Sequence, residues 1–181
     1  MHYGDIRPEA LKHNPFKAII APRPIGWIGT LDAEGRPNLA PYSFFNAIGS
    51  DPDMVMFSSE GAKHSATHAH ERGEFTFSLA TEVLAAQMNI TSAAEPAGAN
   101  EFDLAALSQG KPCVIQTPFV AESPAALECV TLEVRQLSDR HGTPLERFLV
   151  IGEVVQTHIR DEFILNGRFD TTAARPIARM G

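Results

Sequence analysis

Apolar and polar residues alternate over the first third of the chain in the pattern of short β-strands. Ile25–Leu31 is largely apolar and ends at Asp32-Ala33-Glu34-Gly35, a polar loop whose final glycine is typical of a hairpin. The return strand is predicted over Pro37–Phe45. Its prolines at 37 and 41 favour an edge or irregular strand, because proline has no N–H to donate to a neighbouring strand. Met54–Ser58 predicts a third strand.

Similar patterns return later in the chain. Glu74–Ala80 places three apolar side chains on one face and Thr76 and Ser78 on the other, which predicts a half-buried strand. Leu127–Leu137 also alternates, and the turn SDRHGTP follows it. Phe148–Ile159 is a β-branched run, in which Gly152 predicts a bulge or a close approach of two backbones.

Three segments predict helices. His64–Arg72 is a short helix that ends at Gly73. Thr81 is expected to cap a helix over Glu82–Thr91, and Asn100 to cap a helix over Glu101–Leu107. Ser92–Gly98 is predicted to be a connection within the domain. Many antiparallel strands with few helices predict a small, mainly β barrel with helical insertions.

Composition and charge narrow the class of protein. The chain has 181 residues, 44% of them hydrophobic and 20% charged, which suits one domain with a sizeable core. A net charge of -7, from 15 Lys+Arg against 22 Asp+Glu, argues against a nucleic-acid partner. Cys113 and Cys129 lack C-x-x-C spacing, so no disulfide scaffold is expected. Without a secretory signal or an apolar run of membrane-spanning length, the expectation is a cytoplasmic protein with no membrane partner.

Common catalytic signatures are missing from the sequence. No G-x-G-x-x-G follows a predicted strand, and no serine lies in G-x-S-x-G.

The histidines at 64, 68 and 70 could place two imidazoles on one helix face, as a metal site requires. No thiolate lies near them in the sequence, so a solvated helix is the favoured interpretation and no metal site is expected.

One stretch carries a specific resemblance. The segment PRPIGWIGT, then Asn38–Asn46, Met56–Ser59 and Lys63-x-Ser65, resembles the flavin reductase-like, FMN-binding split-barrel family, which includes flavoredoxin-type proteins. IGEVVQTHIRDEFILNGRFD and RPIARMG resemble the C-terminal half of that family, so the likeness spans a single domain, 1–181. The resemblance implies a six-stranded antiparallel split barrel of Greek-key type, an FMN cofactor and a homodimer with flavin sites near its interface.

The same resemblance assigns flavin contacts to nine positions, which are Thr30, Asn38, Ala40, Ser43, Asn46, Ser58, Ser59, Lys63 and Ser65. Hydroxyls and a cation immediately before a helix suit a phosphate, and backbone groups left unpaired on an edge strand suit the polar edge of a flavin ring. Each position also has a purely structural interpretation, such as a solvated Lys63 or an Asn38 that only satisfies the hairpin. Relatives often carry Lys-Asp-Thr where this chain has Lys63-His64-Ser65, which leaves the role of His64 open.

The function that follows from the resemblance is FMN-dependent redox chemistry. The flavin would take a hydride from NAD(P)H and pass electrons to free flavin or another acceptor. Since the cofactor carries that chemistry, no acid or base side chain is predicted to be catalytic. Two alternatives remain open, a non-enzymatic FMN electron carrier and a flavin-free ligand-binding barrel.

Overall fold

A computed structural model describes residues 2–93, 96 and 98–181. The protein is mainly β, with 42% of its residues in strands and 17% in helices, and its principal sheet is a curled antiparallel half-barrel, as a split barrel requires. The predicted fold class is therefore confirmed. The predicted connection Ser92–Gly98 includes residues 94, 95 and 97, which lie outside the described residues.

Seven strands form the principal sheet, in the spatial order β2-β1-β5-β6-β7-β4-β3. Their ranges are β1 Gly26–Leu31, β2 Pro37–Tyr42, β3 Phe45–Gly49, β4 Met54–Glu60, β5 Glu74–Leu79, β6 Ala125–Ser138 and β7 Pro144–Ile159. Three further pairs of two-residue strands are Arg23–Pro24 with Ala178–Arg179, Gln109–Gly110 with Phe119–Val120, and Ile164–Leu165 with Arg168–Phe169.

The helices are short. In the part of the chain that the structure describes, they are α1 Phe16–Ile19, α2 His64–Arg72, α3 Ala85–Ile90, α4 Glu101–Leu104 and α5 Thr171–Ala174, with a 3-10 turn at Asp161–Phe163. Among the described residues, no helix is long and apolar enough to cross a membrane.

The predicted return strand Pro37–Phe45 is an edge strand, but its predicted extent is wrong. The chain leaves β2 at Tyr42, and after Ser43 and Phe44 it continues as β3, which lies at the opposite edge of the same sheet. Phe45 begins β3 and stacks on Phe77 of β5, with ring centroids 4.8 Å apart. One predicted strand is therefore two, and this raises the strand number from six to seven.

Two helix predictions also need correction. Thr81 does not cap α3, because it pairs with Pro176 in a β-bridge, and the N–H of Glu82 is bonded to the carbonyl of Arg175. That extended pairing delays the helix to Ala85. Asn100 caps α4 as predicted, by accepting from the N–H of Phe102, but α4 ends at Leu104.

Other local predictions are confirmed. Helix α2 spans the predicted His64–Arg72 and ends at Gly73, whose left-handed φ of 71° suits glycine. The turn after β6 is held by Asp139, which accepts from the N–H groups of His141 and Thr143. Both long strands extend beyond their predicted ranges because β6 and β7 pair almost to this turn.

Two hydrophobic clusters support the sheet. One, inside the half-barrel, is centred on Ile28, Phe57, Phe75 and Val150, whose side chains are buried. The other packs α3 and α4 against the outside of β1 and β2 through residues that include Trp27 and Phe102.

Gly152 occupies a position where no side chain has room. The register between β6 and β7 shifts between Ile151 and Gly152, so the predicted bulge is present. A Cβ atom at Gly152 would lie 2.4 Å from Cε1 of the buried Phe75 and 3.2 Å from Cβ of Cys129. Phe75 of β5 and Cys129 of β6 therefore pack directly against the backbone of β7 at Gly152, and this contact requires glycine.

Gly152→Ala should lower the free energy of unfolding by about 1–3 kcal/mol, because it overpacks the cluster around Phe75. Urea denaturation measures the change. Gly4→Ala is the matched control, since no atom of the described residues lies within 4 Å of a Cβ at that position. A Gly152→Ala protein as stable as the control would contradict this account of the close approach.

Candidate functional site

A cleft of about 470 Å³ lies where the half-barrel remains open, beside the edge strand β2 and the end of β4. The N-terminus of α2 forms one wall, and α1 and the segment after α3 form others. The lining residues are Lys17, Asn38, Ala40, Pro41, Tyr42, Ser43, Phe44, Ser58, Glu60, Ala62, Lys63, His64, Ser65, Thr91, Ser92, Ala93 and Glu101.

A hydrogen-bonded chain of polar side chains forms the floor of the cleft. The amide nitrogen of Asn38 donates to the hydroxyl oxygens of Thr30 and Ser65, each 3.1 Å away. All three residues are buried. Because the Ser65 oxygen accepts from Asn38, its own hydrogen remains able to donate toward the cleft or a neighbouring hydroxyl.

Tyr42 extends this polar floor. Burial raises the pKa of the Tyr42 phenol, and hydrogen bonds with Ser65 and Ser59 partly oppose the rise. The phenol therefore stays protonated at neutral pH and can donate a hydrogen bond. Ser59 is itself fully buried and donates to the carbonyl of Gly61, 2.9 Å away.

The first turn of α2 is suited to an anion. Lys63 is the N-cap residue, and its carbonyl accepts from the N–H groups of Ala66 and Thr67. By helix geometry, the N–H groups of His64 and Ser65 have no partner within the helix. The first turn contains no acidic residue, so the positive end of the helix and the Lys63 ammonium act together.

Two histidines extend from this turn along α2. The rings of His64 and His68 are stacked, with centroids 5.8 Å apart and planes 5° apart. Burial, together with the neighbouring His64, lowers the pKa of His68, so a neutral ring is favoured there. Nδ1 of His68 lies 3.4 Å from the hydroxyl oxygen of Thr30, whereas His70 is exposed elsewhere on the helix.

The opposite wall is built around Phe44. The buried guanidinium of Arg23 donates to the carbonyl of Ile20, 2.7 Å away, and to that of Lys17, which holds α1 against the barrel. The Lys17 ammonium lies over the Phe44 ring, 5.6 Å from its centroid. This wall therefore carries a second cation beside an aromatic face.

The third wall depends on two long-range hydrogen bonds. Glu101 is buried on α4, and its carboxylate accepts from the backbone N–H of Leu39 at 3.0 Å. The indole N–H of Trp27, which is a core residue, donates to the hydroxyl of Thr91 at 2.9 Å. These bonds fix the start of α4 at the outer edge of β2 and Thr91, just after α3, against β1.

The nine residues predicted from the resemblance are distributed unevenly around this cleft. Six line it directly, and they are Asn38, Ala40, Ser43, Ser58, Lys63 and Ser65. Thr30 and Ser59 lie beneath the lining and are linked to it through hydrogen bonds to Asn38 and Tyr42. Asn46 is exposed on β3, where its side chain accepts from the N–H of Ala47. All nine assignments as flavin contacts stay predictions.

Several lining residues were missed by sequence analysis. Lys17, Thr91 and Glu101 come from segments that the chain brings to β2 only after folding, and no local motif marks them. Tyr42 and Phe44 lie inside the segment Asn38–Asn46 that resembles the family. Nothing in the sequence pattern shows whether their side chains line a cleft or pack in the core.

Comparison with known proteins places this cleft in context. The Flavin reductase like domain matches residues 20–173. An uncharacterized protein of Deinococcus radiodurans is 33% identical over 186 residues, which cover 96% of this chain and 79% of the relative. Nitrilotriacetate monooxygenase component B from Bacillus cereus is 29% identical, has a TM-score of 0.86, and is matched over 99% of this chain and 92% of its own. The 2-nitrobenzoate 2-nitroreductase of Pseudomonas fluorescens is 25% identical with a TM-score of 0.85, over 100% of this chain and 88% of its own.

The family match covers most of the chain, including β1 to β7, the first turn of α2 and the segment after α3. By this match, the chain belongs to the flavin reductase-like domain family.

Proposed function

We propose that this protein is an FMN-binding, flavin reductase-like oxidoreductase that takes a hydride from NAD(P)H and passes electrons to flavin or another acceptor. Family membership supports flavin-related oxidoreductase function in general. The observation that carries the more specific proposal is the cleft itself. At one end of the cleft, the cationic N-terminus of α2 suits the phosphate of FMN. At the other end, the slot along the edge strand β2 suits the flavin ring.

The first turn of α2 provides what the FMN phosphate requires. Lys63 makes no ion pair with an acid in the described residues, so its charge is available to a ligand. The N–H groups of His64 and Ser65 and the hydroxyls of Ser58 and Ser65 supply further donors. Phosphate bound by such a set forms charge-assisted hydrogen bonds, which are stronger than those between neutral groups.

The remainder of the cleft provides a slot for the ring. Ala40, Pro41 and Phe44 give it apolar surface, while Tyr42 and Ser43 add hydrogen-bonding groups. Its volume of about 470 Å³ falls in the range usual for small-molecule sites, roughly 300–1,000 Å³. When bound, FMN supplies hydride and single-electron transfer. The residues of this chain hold and orient the ring and keep the Tyr42 phenol protonated.

Similarity to a monooxygenase component and to a nitroreductase supports a reductase over a ligand-binding barrel without flavin. The proposal of NAD(P)H as the electron donor rests on the family resemblance. The proposed location is the cytoplasm, as expected from the sequence.

A second copy of this chain is the proposed partner. Leu132 on β6 and Ile164 and Leu165 near the C-terminus are about half exposed, as apolar residues in a subunit interface are before assembly.

Mixing the purified, FMN-loaded protein with NADH or NADPH without oxygen should bleach its visible flavin band. A stopped-flow spectrophotometer measures the rate, and dithionite provides the fully reduced reference. If neither nucleotide reduces the flavin while dithionite does, the protein is the electron carrier and the NAD(P)H step is wrong.

Lys63→Ala should weaken FMN binding roughly 10- to 100-fold while leaving riboflavin binding nearly unchanged, because riboflavin has no phosphate. A hydrogen bond to a charged group contributes about 1.5–3 kcal/mol, and each 1.4 kcal/mol is about tenfold in affinity. Fluorescence quenching titrations with both flavins measure the difference.

Lys111→Ala is the matched control, since Lys111 is exposed and does not line the cleft. Its affinity for both flavins should equal that of the wild type. Equal losses of FMN and riboflavin affinity in Lys63→Ala would remove Lys63 from the phosphate site and contradict the assignment of the whole first turn.

Light scattering should report a mass about twice the 19.7 kDa of one chain. Leu165→Asp should shift that mass toward a single chain, because it places a charge in the proposed interface. Val83→Asp, at a residue 78% exposed before α3, should leave the dimer intact. A wild-type monomer that still holds one FMN per chain would contradict the dimer and its two interfacial sites.

A further inference from the structure

A second group of reactive side chains lies apart from the cleft. Cys113 belongs to the loop after Gln109–Gly110, Glu128 lies on β6 and His158 on β7. The thiol sulfur, a carboxylate oxygen and an imidazole nitrogen all lie within 4.8 Å of one another. Within residues 2–93, 96 and 98–181, this is the only such group of three cysteine, histidine or acidic ligands.

Glu128 is held in place. It is fully buried and accepts from the backbone N–H groups of Cys113, Val114 and Ile115 at 2.6–2.8 Å, and from Nε2 of His158 at 2.6 Å. These four hydrogen bonds fix the orientation of the carboxylate before anything binds.

His158 is oriented just as firmly. Its ring lies against Phe119, with centroids 4.4 Å apart, and its side chain is 21% exposed. Nε2 points at Oε1 of Glu128, so one proton lies between the two atoms. Cys113 is exposed, so a metal ion can reach the group from solvent on the side of its thiol.

The charges in this group favour a cation over a nucleophilic thiolate. A thiolate at Cys113 would lie beside the buried carboxylate of Glu128, and two adjacent anions disfavour each other. A divalent cation removes that repulsion. Thiolate, imidazole and carboxylate together form a donor set that Zn²⁺ prefers, and three protein ligands leave one position for water.

We infer that Cys113, Glu128 and His158 form a binding site for Zn²⁺ or a cation of similar chemistry. On binding, the thiol loses its proton to solvent, and the metal replaces the proton between Oε1 of Glu128 and Nε2 of His158. In the bound state the ring carries its one proton on Nδ1, and any second ring proton is released to solvent. The short distance between the oxygen and the nitrogen widens by a small rotation of the half-buried His158.

Such a metal would fasten one loop to the barrel. The loop already contacts β5, because Glu74 accepts from the N–H groups of Gln116 and Thr117. It also contacts the C-terminal end of α2, where Arg72 donates to the side chain of Gln116 at 2.9 Å. The site is thus separate from the first turn of α2, and it does not depend on the proposed flavin function.

Cobalt titration of untagged, purified protein tests the inference, because Co²⁺ is coloured where Zn²⁺ is not. The expected result is one Co²⁺ per chain, with a thiolate-to-cobalt charge-transfer band in the difference spectrum that Zn²⁺ abolishes. Cys113→Ser should lose that band. His158→Gln keeps a donor to Glu128 but removes the imidazole, and it should weaken Zn²⁺ binding at least about tenfold, since even changes outside the ligand shell cost roughly 10–100-fold.

His68→Gln is the matched control, because it disrupts the stacked pair of His64 and His68, whose ring centroids lie 5.8 Å apart. This variant should keep the charge-transfer band unchanged. Zn²⁺ should also raise the melting temperature of the wild type and of His68→Gln, but not that of Cys113→Ser. A wild type without the band, or a Cys113→Ser protein that retains the Zn²⁺-dependent shift, would overturn the inference.

Discussion

The outer edge of β2 cannot pair with another strand through a regular hydrogen-bond ladder. The barrel remains open on this side because of that constraint. Residues of an antiparallel strand direct their backbone groups alternately toward and away from the neighbouring strand. Leu39 directs its N–H away from β1, to Glu101, so Pro37 and Pro41 face the same outer side. Neither proline has an N–H to donate there. β2 therefore ends the sheet, and the chain crosses at Ser43 and Phe44 to begin the opposite edge.

The cleft is a direct consequence of this break. Because β2 and β4 are not paired, the space between them is filled from outside by α1, the first turn of α2, and the residues just after α3 together with the start of α4. Each contributes a different chemistry, namely a lysine over an aromatic ring, a cationic helix end and a buried carboxylate. The polar floor through Asn38 then joins the edge strand to α2, so that the cleft has a fixed shape.

Features set by a few neighbouring residues could be predicted from the sequence. Gly73 ends α2 because of its own left-handed backbone, and Asn100 caps α4 through a contact two residues away. Features set by distant partners could not. Thr81 has the side chain of a helix cap, yet its pairing with Pro176 overrides that preference. The same holds for the site, where Lys63 and Ser65 were found from a local segment, whereas Lys17 and Glu101 reach the cleft only through tertiary contacts.

The most direct test of this account is the identity and amount of cofactor in the protein as purified. Its visible absorption spectrum is recorded first. The small molecule released on denaturation is then identified by mass spectrometry and quantified. The account predicts a two-band flavin spectrum and the mass of FMN, at close to one molecule per chain. A colourless protein that leaves the fluorescence of added FMN unchanged would contradict it.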